Sequence, residues 1–161
     1  MIRMPTPFTP ERMQHLKWAL MGLTISWTLA ALLACSSPPT NGQPKLYEQL
    51  GGPSGIEVVV DRTLDRMTSD PRTKRSFKGI KMPYLKKSVA AYVCQIADGP
   101  CNYEGETMAH AHAQSDITAS EYDLMVSALR EELDRAGVSE GAKNELLRRL
   151  APTRRDIVKA P

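Results

Sequence analysis

From Lys45 onward, apolar residues recur at the spacing of helices rather than in the alternating pattern of β-strands. The clearest stripe runs from Ile56 to Met67, and Asp70–Pro71 ends it because a residue before proline disfavours helical angles. Three further stripes are Leu85, Val89, Tyr92, Val93 and Ile96; Tyr122, Met125, Val126, Leu129 and Leu133; and Ala142, Leu146, Leu147 and Leu150. The pattern predicts an all-α domain of roughly four long helices and two short ones.

Residues at the helix boundaries fit this pattern. Ser54 with Glu57, and Thr118 with Glu121, have the spacing of capping boxes, which predicts a helix start at each serine or threonine. Pro83 is well placed in a first helical turn. Near the C-terminus, Pro152 is expected to bend or end the last helix.

The first 34 residues have the pattern of an export signal. A basic start is followed by an uncharged apolar run from Trp18 to Ala34. The run ends in Leu32-Leu33-Ala34-Cys35, which resembles the lipobox of bacterial lipoproteins, where the cysteine is lipidated and becomes the mature N-terminus. Two alternatives stay open: an ordinary secretory signal, and an uncleaved anchor, since the run is near the lower length limit for a membrane span.

This pattern predicts three parts of the chain. Residues 1–34 would be a lipoprotein signal peptide, 35–44 a polar, proline-rich tether, and 45–158 the folded domain. The protein would then be a membrane lipoprotein anchored through lipid on Cys35 and facing the periplasm. No aspartate follows Cys35, which in this resemblance favours the outer membrane.

Charge and cysteine content narrow the classes of partner. Segment 1–34 carries three basic residues and one acid, so its removal lowers the net charge from +3 to +1, which argues against nucleic acid. Two cysteines remain, Cys94 and Cys101. Outside the cytoplasm they could form a disulfide, but two free thiols are an equal alternative from sequence alone.

His110 and His112 are the two histidines of the mature chain, and both lie on a predicted short helix. Two residues along a helix correspond to a rotation of about 200°, so the two imidazoles cannot share one metal ion. His112 shares a helix face with Met108, which predicts that His112 points inward and His110 outward. A buried histidine is more often a hydrogen-bonded core residue than a ligand, so the helix alone leaves both roles open.

The order and spacing of many residues over about residues 45–158 carry a further signal. These residues are Leu46–Gly52, Ile56, Val59–Asp61, Asp70–Pro71, Phe77, Gly79, Met82, Gly99–Pro100, Tyr103, Gly105, Met108, His112, Ile117–Thr118, Gly137–Val138, Leu150–Pro152 and Asp156–Val158. Their order and spacing resemble those of the group I truncated haemoglobins.

The resemblance implies a two-over-two helical sandwich that encloses haem b. His112 matches the proximal ligand of the haem iron, whose Nδ1 would donate to a nearby acceptor. Phe77 matches the aromatic residue against the porphyrin face, and Met108 and Ile117 match wall positions on the proximal side.

The distal side departs from the best-known members of that family. Those proteins carry a tyrosine and a glutamine that stabilise oxygen, whereas the aligned residues are Leu64 and Val89. Leu85 takes another distal position, and Tyr92 follows one turn beyond Val89. The expected distal wall is apolar.

These features predict a haem protein that reversibly binds oxygen or other diatomic gases, NO and CO, with oxygen held weakly. An alternative is a periplasmic haem enzyme that detoxifies reactive nitrogen or oxygen species, with an unidentified reductase as partner. A third is a globin fold kept without haem. Lys86 and Lys87 could reach the haem propionates, although a solvated helix face is the favoured interpretation.

Overall fold

A computed structural model describes residues 44–159, and within that range the regular structure is entirely helical. The signal segment, Cys35 and residues 36–43 lie outside the described residues. The helices are α1 (Leu46–Gln49), α2 (Gly52–Ser69), α3 (Met82–Ile96), α4 (Met108–His112), α5 (Ala119–Arg135), α6 (Glu140–Leu150) and α7 (Arg154–Ile157), with 3₁₀ turns at Lys74–Phe77 and Ala151–Thr153. No helix in the described range is both long and apolar enough to cross a bilayer.

The four long helices form the two-on-two arrangement expected from the sequence. Helix α2 packs against both α3 and α5, and α6 contacts α3 and α5. The core between them draws on the predicted stripes, and α2 contributes more buried side chains than any other helix; core residues from the stripes are Ile56, Val59, Val60, Leu64, Val93, Leu133 and Leu146. The apolar periodicity therefore predicted both the helices and the faces that they bury.

One predicted helix start is wrong, and glycine explains the difference. Helix α2 begins at Gly52 rather than after Ser54, and its N-cap is Gly51 without a side-chain cap bond. Gly51 and Gly52 have φ angles of 86° and 63°, which let the chain turn into the helix before Ser54 is reached. At Gly55, a Cβ atom would meet the Leu50 carbonyl oxygen at 2.3 Å, so only glycine allows this close approach.

The other boundaries follow the sequence pattern. Thr118 and Glu121 form the predicted capping box at the start of α5. Helix α6 ends at Leu150, and Pro152 lies in the 3₁₀ turn that follows. A further short helix, α7, comes after this turn and brings the number of short helices between residues 44 and 159 to three. Helix α7 packs against α4, so it closes the domain beside the histidine helix.

Cys94 and Cys101 form a disulfide, which settles the question that the sequence left open. Their Cα atoms are 5.9 Å apart, within the range that a disulfide spans. Cys94 is buried near the end of α3, and a Cβ atom at Gly99 would lie 2.6 Å from its sulfur. The bridge therefore fixes the loop between α3 and α4 directly against the core.

Candidate haem pocket

A cavity of about 690 Å³ opens between α2, α3, α5 and α6, and the loop before α4 completes its wall. This volume lies within the usual range for small-molecule and cofactor sites. Most of its lining is apolar and comes from the predicted stripes: Val60, Leu64, Leu85, Val89, Val93, Met108, Met125, Val126, Leu129, Leu147, Leu150 and Ile157.

The cavity gathers some of the predicted site residues and not others. Leu64, Leu85, Val89 and Met108 line it. His112, Phe77 and Ile117 are half-buried but are not among its lining residues. Helix α4 reaches the cavity with Met108 and Ala111, the residue just before His112.

The hydrogen bond of His112 determines which ring nitrogen is free. Its Nδ1 lies 2.8 Å from the carbonyl oxygen of Met108. A carbonyl oxygen only accepts hydrogen bonds, so Nδ1 is the donor and carries the proton. In the neutral ring, Nε2 then keeps its lone pair, as an imidazole that binds a metal requires.

His110 lies in a different environment from His112. Its side chain is 73% exposed, and its Nδ1 lies 2.5 Å from Oε2 of Glu106. This hydrogen bond with Glu106 raises the pKa of His110 above its ordinary value. The two histidines thus point in different directions, as the 200° rotation between them predicts.

The wall formed by α2 and α3 offers few free hydrogen-bond donors. Leu64, Leu85 and Val89 supply only apolar surface. Thr63 also lines the cavity, but its hydroxyl donates to the Val59 carbonyl at 2.7 Å and is therefore engaged. The other hydroxyl groups on this part of the wall belong to Ser88 and Tyr92.

Tyr92 and Tyr103 form an aromatic pair at one side of the cavity. Their rings meet edge to face with centroids 5.0 Å apart. The Tyr103 hydroxyl donates to the Glu106 carbonyl at 2.9 Å, and its backbone N–H donates to Gln95. Burial raises the pKa of Tyr92, and the neighbouring Tyr103 adds to this shift, so Tyr92 stays a neutral hydroxyl at physiological pH.

The charged residues at the cavity are Glu106 in the loop before α4, Asp123 and Arg130 on α5, and Arg154 on α7. Arg154 pairs with Asp123 at 2.8 Å, and its guanidinium lies 5.1 Å from the centre of the Tyr122 ring. Arg130 is exposed and also lines the cavity. In contrast, Lys86 pairs with Asp65 at 2.8 Å, and both Lys86 and Lys87 line a different pocket, which supports the solvated-face interpretation.

Sequence reasoning missed Arg130, Arg154 and the aromatic contact of Tyr122. Tyr122, Val126 and Arg130 are spaced i, i+4 and i+8, so they share one face of α5. An arginine that continues the face of Tyr122 and Val126 was therefore a readable signal for the charged rim of a cavity. No such local signal existed for Arg154, because its position depends on how α7 folds back.

Two ion pairs fix the loop that follows His112. Arg75 donates to the carbonyl of Asp116 at 2.9 Å and to Glu121 at 2.5 Å, while Lys159 contacts the Asp116 side chain at 2.6 Å. Burial acts to raise the pKa of Glu121, but hydrogen bonds from Thr118 and Arg75 outweigh it and hold this pKa below its ordinary value. Glu121 is therefore charged and holds the C-terminal part of this loop, directly at Thr118 and through Arg75 at Asp116.

Comparison with known proteins identifies the family. Residues 45–159 match the family of bacterial-like globins. The chain belongs to the bacterial-like globin family. Its relatives include a group 1 truncated haemoglobin from Tetrahymena thermophila, 29% identical over 72% of this chain and 96% of the relative. Another, from Mycolicibacterium paratuberculosis, is 30% identical over 70% of this chain and 82% of the relative.

Solved structures agree with this globin assignment. The truncated haemoglobin of Tetrahymena pyriformis in its Fe(III) form superposes with a TM-score of 0.69 at 26% identity, covering 73% of this chain and all of that one. The haemoglobin of Chloroflexus aurantiacus gives a TM-score of 0.64 at 25% identity, covering 73% and 100% of the two chains. The chain is thus a haem-binding globin with the truncated haemoglobin fold.

The residues present fit a haem group. The cavity is large and apolar, as a porphyrin requires, and the tautomer of His112, which follows the lining residue Ala111, leaves Nε2 with a free lone pair. Arg130 and Arg154 supply positive charge at the cavity. Among the described residues, no cluster of three or more histidine, cysteine or acidic side chains forms a separate metal site.

Proposed function

We propose that the protein binds haem b through His112 and reversibly binds diatomic gases on the opposite face of the haem. When bound, haem supplies an iron that accepts one imidazole nitrogen and one gas molecule. The observation that carries the proposal is the 2.8 Å bond from His112 Nδ1 to the Met108 carbonyl. It sets the tautomer, orients the ring and leaves Nε2 as the ligand atom.

The apolar wall supports weak retention of oxygen. A hydrogen bond to a charged or polarised acceptor contributes roughly 1.5–3 kcal/mol, which is a factor of about ten to a hundred in affinity. Leu64, Leu85 and Val89 donate none, and the Thr63 hydroxyl is already bound to Val59. Nitric oxide and carbon monoxide depend less on such a donor, so the pocket favours them relative to oxygen.

We further propose that Arg130 and Arg154 face the carboxylates of the haem. Arginine is well suited to binding carboxylates, because its planar guanidinium presents paired donors. Arg154 already shares its charge with Asp123, whereas Arg130 is in no ion pair within residues 44–159. Phe77 and Ile117 are proposed to contact the haem from the edges of the cavity.

The location of the protein is a proposal of the same kind. A lipid on Cys35 would attach the globin domain to a membrane on its periplasmic side, with the outer membrane favoured. The lipobox-like sequence and the disulfide between Cys94 and Cys101 support it, because disulfides persist outside the reducing cytoplasm. Separation of inner and outer membranes, followed by detection of the protein, tests this assignment.

Absorption spectra of the purified full chain test the haem proposal. We expect a Soret band that shifts on reduction and again on addition of carbon monoxide. His112→Gly should lose the native spectrum and regain it with added imidazole, which shows that the ligand and not the fold was removed. His110→Ala is the matched control and should leave the spectrum unchanged. A native spectrum in His112→Gly without imidazole would refute the ligand assignment.

A further inference from the structure

The segment from Arg72 to Lys87 carries a second, basic surface, and its charged residues lie outside the lining of the haem cavity, to which the segment contributes Leu85. This segment contains Arg72, Lys74, Arg75, Lys78, Lys81, Lys86 and Lys87 and no acidic residue. The net charge of the whole chain is only +3, so it does not reveal that basic residues are concentrated in this segment. It spans the 3₁₀ turn before α3 and the first turns of α3 itself.

Ion pairs divide these basic residues into two groups. Arg72 pairs with Asp70, Arg75 with Glu121, and Lys86 with Asp65 and Asp61. Each carboxylate that forms an ion pair with this segment is therefore paired with Arg72, Arg75 or Lys86. Within residues 44–159, the other four lysines have no carboxylate within ion-pair distance: Lys74, Lys78, Lys81 and Lys87.

Two large apolar side chains are exposed among these four lysines. Ile80 is 43% exposed and Tyr84 is 74% exposed, and Val58 is the one other large hydrophobic residue in the described range with comparable exposure. The Tyr84 N–H donates to the Lys81 carbonyl at 3.0 Å, so these two residues share one turn. Lys87 lies three residues after Tyr84, on the same side of α3.

We propose that this basic face, formed by Lys74, Lys78, Ile80, Lys81, Tyr84 and Lys87, docks on an anionic phospholipid surface. Lysines near a bilayer are attracted to anionic headgroups, and tyrosine is enriched at the level of the headgroups. Ile80 supplies an apolar side chain that enters the acyl boundary. The mixture of unpaired lysines with an exposed tyrosine and isoleucine matches this boundary in both charge and polarity.

The geometry of the chain allows this contact, if the lipid anchor of the proposed function is present. Tyr47 donates to the Ala97 carbonyl at 2.8 Å, so the domain's N-terminus lies at the end of α3 opposite to Tyr84. Helix α3 has 15 residues and is about 22 Å long. The segment 35–44 can span at most about 33–36 Å, which exceeds that length.

A bilayer is favoured over an acidic protein as the occupant of this face. The anchor at Cys35 would keep the face within reach of lipid headgroups at all times, whereas a protein partner would have to be recruited. The attraction does not depend on the haem, because none of the six residues of the basic face lines the haem cavity.

Hydrogen–deuterium exchange on the full chain tests the proposal. The chain is mixed with vesicles of phosphatidylcholine alone, or with vesicles that also contain phosphatidylglycerol. We expect exchange in residues 78–87 to slow by about fivefold or more in the anionic vesicles only. Added salt should remove this protection, because it screens exposed charges. The fraction of protein that sediments with neutral vesicles reports the anchor separately.

Charge-reversal variants locate the contact. Lys78→Glu with Lys81→Glu should abolish the protection, with roughly a fivefold loss for each lysine removed. Arg62→Glu with Arg155→Glu changes the net charge equally at exposed positions elsewhere and should retain it. Equal exchange in both kinds of vesicle would overturn the docking proposal and point to a protein partner. Sedimentation without such protection would leave the anchor intact and refute only the docking.

Discussion

Leu64 is the residue whose chemistry most directly limits oxygen retention. It is 3% exposed and lines the cavity, and the resemblance to group I truncated haemoglobins aligns it with their distal tyrosine. Leu64→Tyr should add a hydroxyl donor to the distal wall. We expect oxygen to dissociate roughly ten to a hundred times more slowly, as measured by stopped-flow with the reduced full chain.

Leu64→Phe is the matched control for this change, because it adds the same ring without the hydroxyl. Any effect of bulk or repacking should appear in both variants, whereas slower dissociation should appear in the tyrosine variant alone. Similar oxygen dissociation rates in the two variants would show that the wall gains no donor. Another residue, with Tyr92 the first candidate, would then be the source of any polar contact.

At the residue scale, the sequence was informative wherever position along a helix decides the outcome. The stripe spacing placed Leu64, Leu85 and Val89 on inward faces, the spacing to His112 did the same for Met108, and all four line the cavity. It could not show that the Thr63 hydroxyl donates a hydrogen bond to the Val59 carbonyl, since that depends on a side-chain rotamer. It predicted that His112 points inward, and His112 is half-buried but is not among the residues that line the cavity.

At the scale of elements, the disulfide connects the end of α3 to the loop that leads into α4. Replacing Cys94 by alanine and Cys101 by serine should remove the constraint on this short loop. Chain entropy alone predicts a loss of about 2–3 kcal/mol in the free energy of unfolding. The measurement is urea unfolding of the full chain without haem, followed by circular dichroism.

The third cysteine offers a matched control for this experiment. Cys35→Ser leaves the disulfide in place and should unfold at the same urea concentration as the unchanged protein. A chemically reduced wild-type chain should unfold together with the double variant. If the oxidised and reduced chains unfold at the same midpoint, the bridge adds no stability and only fixes the position of the loop.

The helix boundaries show where local rules suffice and where they fail. The capping box of Thr118 and Glu121 was predicted because both partners lie within one turn. Ser54 and Glu57 have the same spacing, yet α2 begins earlier because Gly51 and Gly52 adopt positive φ angles. The two motifs have the same spacing, but only Thr118 caps a helix, because the glycines before Ser54 let the chain enter α2 earlier.

At the scale of the whole molecule, side-chain contacts join distant parts of the chain. Arg75 reaches Glu121 across 46 residues, and Arg149 reaches the Ile96 carbonyl across 53. Neither contact has a signature in the sequence, because each depends on how the helices pack. The family resemblance predicted the packing itself, since it encodes the order of all the helices together.

Haem binding should be a large part of the stability of the whole domain. About 115 residues surround a cavity of about 690 Å³ with a mostly apolar lining, so a bound porphyrin would bury surface that water otherwise contacts. A ligand that binds only the folded state at a thousand times its dissociation constant stabilises that state by about 4 kcal/mol. We therefore expect thermal unfolding of the full chain to shift upward with haem concentration.

The His112→Gly variant separates ligation from simple filling of the cavity. Without the imidazole, haem still enters an apolar space but loses its axial bond, so its stabilising effect should be much smaller. Added imidazole should restore most of the shift, while His110→Ala should behave as the unchanged protein does. Equal shifts in the unchanged protein and in His112→Gly would mean that burial of the porphyrin, rather than the bond to His112, stabilises the fold.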